Sequence, residues 1–160
     1  MAILIYVTKY GVILQPPANS IIGIKSEGYV FDYQRSSVSS EAIDFKTNPD
    51  RIPDDEMLEQ SINWEDDQTV REFTLNQRRI EGEIKFKGGI AILPKVNLER
   101  ILNLPCFKDI LDCERNELQD NSYHGNLLLK SSTDKRLKNQ LRSTIATHIE
   151  EVIRQTNLTK

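Results

Sequence analysis

The sequence is poor in the residue types that commonly staple a small protein or hold a metal. It has two cysteines, two histidines and one tryptophan among 160 residues. Cys106 and Cys113 are seven residues apart, which would separate them by roughly 10 Å on a continuous helix, too far for a disulfide. They form no CxxC pair, and neither histidine lies at a zinc-like spacing from them. We therefore predict two reduced thiols with core positions, no metal site and no cofactor.

Long apolar runs are also missing. The apolar run at the start of the chain ends at Thr8 after about seven residues, whereas a membrane span needs about 20. The same segment lacks the positively charged start of a secretory signal. These features predict a cytoplasmic protein that has no membrane partner and uses its first residues as a core strand.

An excess of positive charge is absent as well. The formal net charge is −3 at pH 7. Binding to nucleic acid without sequence preference depends on neutralising phosphates, so the overall charge argues against it. A local basic face could still bind, and we therefore regard nucleic acid as possible but less favoured than a protein partner or self-association.

The apolar pattern predicts a single α+β domain over residues 1–160. Short apolar runs at residues 2–7, 12–14, 21–24 and 29–31 are typical of strands, and the first two would form a hairpin. Helical spacing dominates the last third of the chain. We predict a mainly antiparallel sheet of about five or six strands, covered on one face by C-terminal helices.

Residues 32–69 differ in composition from the rest of the chain. Serines and prolines cluster there, and eight acidic residues and one basic residue lie between Asp50 and Asp67. This composition predicts a long, acidic, partly mobile loop with one short helix at about 54–62. Trp64 lies inside the acidic stretch, where it would either dock into a basic groove of a partner or fold back over the protein's own basic face.

Residues 70–94 alternate between apolar and charged positions. Ile80, Ile84 and Phe86 alternate with charged residues, which is typical of a strand with one buried face. Gly88 and Gly89 then suit a tight turn into a buried strand over 90–93. With a strand around Phe73 and Leu75, the pattern predicts a three-stranded antiparallel meander.

The C-terminal third favours helices. Leu98, Ile101 and Leu102 lie on one helical face, and a second short helix is predicted around 107–111, followed by a buried segment at 127–129. A long helix over about 133–155 would carry an apolar stripe, formed by Leu137, Leu141, Ile145, Ile149 and Val152. Such a stripe must be covered by the sheet or by another chain, and dimerisation through this helix is one way to cover it.

The sharpest candidate for catalysis is Glu83-Ile84-Lys85. A Glu-x-Lys on a strand, with an aspartate upstream, resembles the metal site of restriction-endonuclease-like nucleases. The resemblance implies that Asp67 (or Asp66) and Glu83 hold Mg²⁺ while Lys85 orients the attacking water. A solvated ladder of alternating charges would give the same residues without any chemistry.

Other candidates point to binding. Arg79, Lys85 and Lys87 would form a basic strand face, which together with Trp64 makes our predicted binding set. His148 near the helix stripe and His124 in a turn could act as general bases, but a packed position for His148 and an exposed turn position for His124 explain them better.

Three hypotheses follow. The first is an intracellular binding or regulatory module without catalysis, which dimerises through the C-terminal helix in one version. The second is a metal-dependent nuclease that uses Asp67, Glu83 and Lys85. The third is a small-molecule-binding protein or enzyme with a pocket between the sheet and the helices.

Overall fold

The computed structural model describes residues 16–51 and 56–156. The predicted hairpin over residues 2–15, with its expected core residues Ile5, Val7 and Leu14, lies outside these ranges. Two short 3₁₀ turns accompany the strands and helices. In chain order the strands and helices are β1 (Asn19–Ile24), β2 (Val30–Asp32), β3 (Ser37–Val38), β4 (Lys46–Thr47), β5 (Met57–Glu65), α1 (Val70–Leu75), β6 (Gly89–Leu93), α2 (Lys95–Leu102), β7 (Leu111–Arg115), β8 (His124–Lys130), α3 (Lys135–Thr147) and β9 (Glu151–Ile153).

The main sheet is antiparallel and confirms the predicted α+β class. Its strand order is β7-β8-β5-β1-β6-β9, with β4 added to β5, while β2 and β3 form a small separate pair. The apolar faces of α2 and α3 pack on one side of the sheet, around Trp64 and Phe107. We call this side the α2–α3 face. The opposite side carries α1, whose Val70 and Leu75 pack on Ile21, Ile90 and Ile92, and we call it the α1 face.

The last predicted helix is shorter in the structure. It begins after Asp134, whose carboxylate accepts a hydrogen bond from the Leu137 backbone N–H at 2.8 Å. It ends at Thr147, and the chain then forms β9, which pairs with β6. The expected stripe residues Leu141, Ile145, Ile149 and Val152 are all buried in the protein's own core. The stripe therefore needs no second chain to cover it.

The predicted acidic loop contains the longest strand of the sheet. The expectation of a helix at 54–62 was wrong, because β5 occupies Met57–Glu65 and pairs with β1, β4 and β8. Leu58, Ile62 and Trp64 pack in the core of the α2–α3 face. Glu59, Ser61 and Asn63 alternate with these residues and lie on the other side, so the strand has a period of two, which the density of acidic residues concealed.

Only the last strand of the predicted meander forms. Residues 70–75 are helical, and 77–85 make a narrow excursion closed by a bridge between Arg78 and Ile84. Ile84 is buried as expected, but Ile80 is fully exposed at the tip of this excursion. The predicted turn before β6 is present, with the Gly89 N–H donating to the Phe86 carbonyl at 3.1 Å.

Of the remaining predictions of secondary structure, three are confirmed and one was wrong. Strands at 21–24 and 127–129 and the helix with Leu98, Ile101 and Leu102 are confirmed. The short helix predicted around 107–111 was wrong, since turns lead there into β7. Phe107 is nevertheless buried, because the turn places its ring in the core. Within the described residues, no helix is long and apolar enough to cross a bilayer.

The two cysteines are predicted to react very differently with thiol reagents. Cys106 is exposed, which corrects the expected core position, whereas Cys113 in β7 is buried. Burial, together with the neighbouring charges of Asp112 and Glu114, raises the pKa of the Cys113 thiol to about 12. The nucleophile is the thiolate, so at neutral pH we expect a chromogenic disulfide reagent to label only Cys106 in the folded protein.

Single-cysteine variants check this expectation. Cys113→Ser should react fast, and Cys106→Ser should react only after denaturant is added. Rapid labelling of folded Cys106→Ser would contradict the burial of Cys113.

Candidate functional site

The sheet is discontinuous on one edge of β5. β1 pairs with the C-terminal end of β5 only through Asn19, Ser20 and Ile21. β4 pairs with the N-terminal end of β5 through Lys46 and Thr47. Between these two ladders, residues 22–24 of β1 and Lys25 after it do not pair with residues 60–62 of β5. A polar cleft opens on the α1 face at this separation.

The cleft has two lobes that share a floor. The first, of about 410 Å³, we call the lysine lobe, because Lys25, Lys46 and Lys85 line it. The second, of about 350 Å³, we call the amide lobe, because Asn63, Gln77, Asn116 and Asn121 line it. Both lobes are lined by Gly23, Asn48, Glu59, Ser61, Lys85 and Phe86. Their volumes lie at the lower end of the range for small-molecule sites.

Gly23 allows the floor of the cleft to form. A Cβ atom added at Gly23 would lie 2.2 Å from the ring of Phe86, closer than any real contact. The Phe86 ring can therefore lie directly on the backbone of β1 only because residue 23 has no side chain. The Lys85 Nζ lies 5.4 Å from the centre of the same ring, within the range of a cation–π contact.

Gln60 fixes the β4 side of the cleft to β5. Its side-chain oxygen accepts a hydrogen bond from the Asp44 backbone N–H at 2.5 Å. Its amide nitrogen donates to the Ser61 carbonyl at 2.9 Å. The first bond links β5 to the segment that leads into β4, and the second fixes the orientation of the buried Gln60 amide.

The lysine lobe brings positive charges close together. The pKa of Lys25 is lowered, first because its amine can accept a hydrogen bond from Lys46 only in the uncharged form, then by partial burial and by the positive charge of Lys46. The Asp44 carboxylate acts in the opposite direction, and Lys85 lowers the pKa further by a smaller amount. The pKa of Lys46 is raised by the hydrogen bond to Lys25 and by Asp44, whose carboxylate lies 3.3 Å away. Lys46 therefore keeps its proton more firmly than Lys25.

The carboxylates around the lysine lobe already have partners in two of three cases. Asp44 pairs with Lys46, and Glu59 pairs with Arg51 at 2.8 Å, while Glu41 is exposed at the rim. Lys25 and Lys85, by contrast, form no ion pair within 4 Å with the residues that the structure describes. Lys25 and Lys85 are therefore the two lysines of the lobe without a carboxylate partner at this distance among the described residues.

The amide lobe is fixed by its own hydrogen bonds. The Asn63 amide nitrogen donates to the Thr74 hydroxyl at 2.8 Å and to the Gln77 side-chain oxygen at 2.9 Å. The Asn121 amide nitrogen donates to the Asn63 side-chain oxygen at 2.8 Å. Asn63 and Asn121 are buried, so these bonds orient the polar groups before any ligand arrives.

Arg51 connects the cleft to the far strands of the sheet. Its guanidinium donates to Glu59 at 2.8 Å and to both oxygens of Glu114 at 2.8 and 3.0 Å. The side chain of Arg51 is only 8% exposed and that of Glu59 only 9%. This buried ion triplet, which we call the Arg51 cluster, ties the segment before residue 52 to β5 and β7 across the α1 face.

The predicted nuclease residues serve separate local contacts. The Asp67 carboxylate accepts hydrogen bonds from the backbone N–H and the hydroxyl of Thr69 just before α1, which lower its pKa. Glu83 is exposed, and its carboxylate lies 3.8 Å from Lys87. Of the three predicted residues, only Lys85 lines the cleft. Among the described residues, no three His, Cys, Asp or Glu side chains are placed to share a metal ion.

The predicted binding residues also fall in different places. Trp64 is completely buried on the α2–α3 face, where its indole N–H donates to the Glu114 carbonyl at 3.1 Å. It cannot dock into a partner, and it does not clamp the loop over a basic face as the alternative interpretation held. Arg79 and Lys87 are exposed and lie outside the cleft lining, while Lys85 lies in both lobes.

The two histidines have structural contacts. His148 is the last residue of the α3 turn, and its Nδ1 lies 2.7 Å from the Thr144 carbonyl. His124 lines the amide lobe, with its Nδ1 2.8 Å from the Asn116 carbonyl. No nucleophilic serine or cysteine contacts either ring in the described part of the chain.

Known proteins provide no relative from which a function could be proposed. The chain matches no family model, no curated protein and no solved structure.

Sequence reasoning missed most residues of the cleft. Lys25, Lys46 and Lys85 lie 21 and 39 residues apart along the chain, so no local motif connects them. The sequence pattern places Gln60 in a short helix and Asn63 in a loop, whereas both belong to β5. The one available signal was the period of two in β5, which would have placed Glu59, Ser61 and Asn63 together on one polar face.

Proposed function

We propose that this protein is a binding module that holds a small anionic ligand in the cleft of the α1 face. The presence of Lys25, Lys46 and Lys85 in the lining of one lobe carries the proposal. Asp44 supplies a counter-charge to Lys46, and a bound anion would supply one to Lys25 and Lys85. The charged groups face a cleft of ligand size, and the described residues lack a metal cluster or an activated nucleophile.

The site also has the properties that make anion binding selective. Its walls come from β1, β4, β5 and the excursion before β6, all anchored to one sheet, so the lysines start from fixed backbone positions. The amide network and Gln60 hold neighbouring polar groups in place. A preformed site loses less conformational entropy when a ligand binds.

Charge removal at the cleft is predicted to weaken anion binding by at least about tenfold, a loss of ~1.4 kcal/mol. The variant is Lys25→Gln with Lys85→Gln, because these two lysines have no carboxylate partner within 4 Å among the described residues. Isothermal titration calorimetry with inorganic phosphate and with citrate measures the effect. The matched control is Lys108→Gln with Lys135→Gln, which removes the same charge from exposed positions outside the cleft lining.

Binding should also weaken as pH rises. The ammonium form of Lys25 attracts the anion, and its pKa is below the ordinary value of 10.5, so its charge is lost earlier than that of an isolated lysine. The bound anion favours the charged form, and complex formation above neutral pH should therefore take up protons. Equal affinity in the cleft variant and the wild type, or no binding of either anion to the wild type, would refute the proposed function.

The hypothesis of a dimer that forms through the C-terminal helix loses its main support. The apolar stripe of α3, on which that hypothesis depended, is buried against the sheet of the same chain. The hypothesis of a small-molecule pocket is kept with a different location. The cleft lies on the face opposite α2 and α3, and not between the sheet and these helices.

A further inference from the structure

The amide lobe shows what kind of anion the cleft suits. A ligand group bound by Lys25 and Lys85 lies beside the shared floor, from which the second lobe continues past Ser61 to Asn63, Gln77 and Asn116. Arg78 and Asp120, one of each charge, also line the amide lobe, so this lobe has no excess charge of one sign from its own residues. The ligand can therefore carry its charge in the lysine lobe and an uncharged polar portion in the amide lobe. The following inference rests on the proposed function, which it refines.

The chemistry of the second lobe favours hydroxyl groups. Carboxamides offer both donors and acceptors, and so does each hydroxyl of a sugar. The Gln77 oxygen is occupied by Asn63, which leaves its NH₂ group to donate. The exposed Asn116 side chain and the Ser61 hydroxyl add donors and acceptors along the same lobe.

A flat heterocycle fits this lobe less well. Nucleobases are commonly bound between apolar or aromatic faces. Two aromatic rings line the amide lobe among the described residues, Phe86 and His124, but Lys85 already lies over Phe86 and the Nδ1 of His124 is 2.8 Å from the Asn116 carbonyl. The lysine lobe, in turn, suits a phosphate, which carries about −1.5 to −2 charges at pH 7 and can engage two ammonium groups together.

We infer that the cleft binds a sugar phosphate, with the phosphate among Lys25, Lys46 and Lys85 and the sugar hydroxyls along the amide lobe. The juxtaposition of a cluster of ammonium groups with a preformed set of carboxamides, joined by one continuous floor, supports this assignment. The two lobes together make a longer site than phosphate alone would need.

Calorimetry with four probes tests the inference: inorganic phosphate, glucose 6-phosphate, glucose and adenosine monophosphate. We expect glucose 6-phosphate to bind at least about tenfold more tightly than inorganic phosphate, and glucose to bind most weakly. The variant Gln77→Ala with Asn116→Ala should lower the affinity for glucose 6-phosphate to the level of phosphate while leaving phosphate binding unchanged. Asn139→Ala with Gln140→Ala, on the exposed surface of α3, is the matched control.

The single variant Asn116→Ala guards against a folding defect, because this side chain is exposed. It should lower glucose 6-phosphate affinity by a factor of about three without changing the unfolding midpoint. Equal affinities for phosphate and glucose 6-phosphate, or tighter binding of adenosine monophosphate, would overturn the sugar phosphate assignment while leaving anion binding intact. If neither phosphate nor citrate binds, the proposed function fails and this inference fails with it.

Discussion

Replacing Arg51 by methionine is expected to reduce the free energy of unfolding by about 3–5 kcal/mol. Methionine keeps most of the length of the side chain but leaves the carboxylates of Glu59 and Glu114 without their cation. Both carboxylates are partly or largely removed from water, with side-chain exposures of 9% and 25%. An uncompensated buried charge accounts for most of the expected loss.

Urea unfolding followed by the fluorescence of Trp64 measures this effect. The protein has a single tryptophan, so the signal reports one buried site directly. A triple variant with Glu59→Gln and Glu114→Gln in addition to Arg51→Met provides the control. It removes the unpaired charges and should recover a large part of the lost stability. An Arg51→Met protein as stable as wild type would show that the Arg51 cluster is not formed.

Replacing Trp64 by alanine should cost about 3–5 kcal/mol, comparable to other large-to-small changes in protein cores. The side chain is fully buried, and its indole N–H bonds to the Glu114 carbonyl. Its position depends on Gly125, where an added Cβ would lie 2.1 Å from the indole nitrogen. The change would leave a cavity between β5, β7 and β8 and release one buried carbonyl.

Circular dichroism during thermal or urea unfolding measures this second effect, because the variant has no tryptophan fluorescence. Trp64→Phe is the control: it fills most of the space but lacks the N–H, so we expect a smaller loss than for alanine. If Trp64 were instead an exposed residue that docks into a partner, Trp64→Ala would leave the unfolding midpoint within the small range typical of surface substitutions.

The parts of the fold that were predicted correctly have dense apolar patterns. Residues 21–24, 90–93 and 127–129 are strands with little competing signal, and Leu98, Ile101 and Leu102 define α2 by their spacing. In these segments the local pattern and the tertiary environment agree, which is the condition for sequence reasoning to succeed.

The errors arose where tertiary contacts changed the meaning of a residue. Acidic residues in and around β5 suggested a solvated loop, but Glu59 is neutralised by Arg51, which a search for local motifs does not reveal. Alternation around Ile80 and Ile84 suggested a strand, yet neighbouring strands are needed to form one, and β6 is already paired with β1 and β9. Val152 and Ile153 fit the helical spacing of the predicted stripe, but in the structure they belong to β9, which pairs with β6.

The candidate site was hidden for a related reason. Each lysine of the lysine lobe sits in an unremarkable local sequence, and only the route of the chain brings the three amines together. Glu83-Ile84-Lys85 attracted attention because it is contiguous, although only its lysine reaches the cleft. Convergent side chains from distant segments are the part of function that one sequence reveals least.

The short ladder between β1 and β5 has a consequence for the whole molecule. Three residue pairs join the half of the sheet made by β1, β6 and β9 to the half made by β4, β5, β7 and β8, whereas seven pairs join β5 to β8. The cleft lies along this seam, with Lys25 on one half and Lys46 on the other. A molecule bound there would contact both halves of the sheet, which share few main-chain hydrogen bonds. Binding at the cleft would therefore raise the free energy of unfolding of the whole domain.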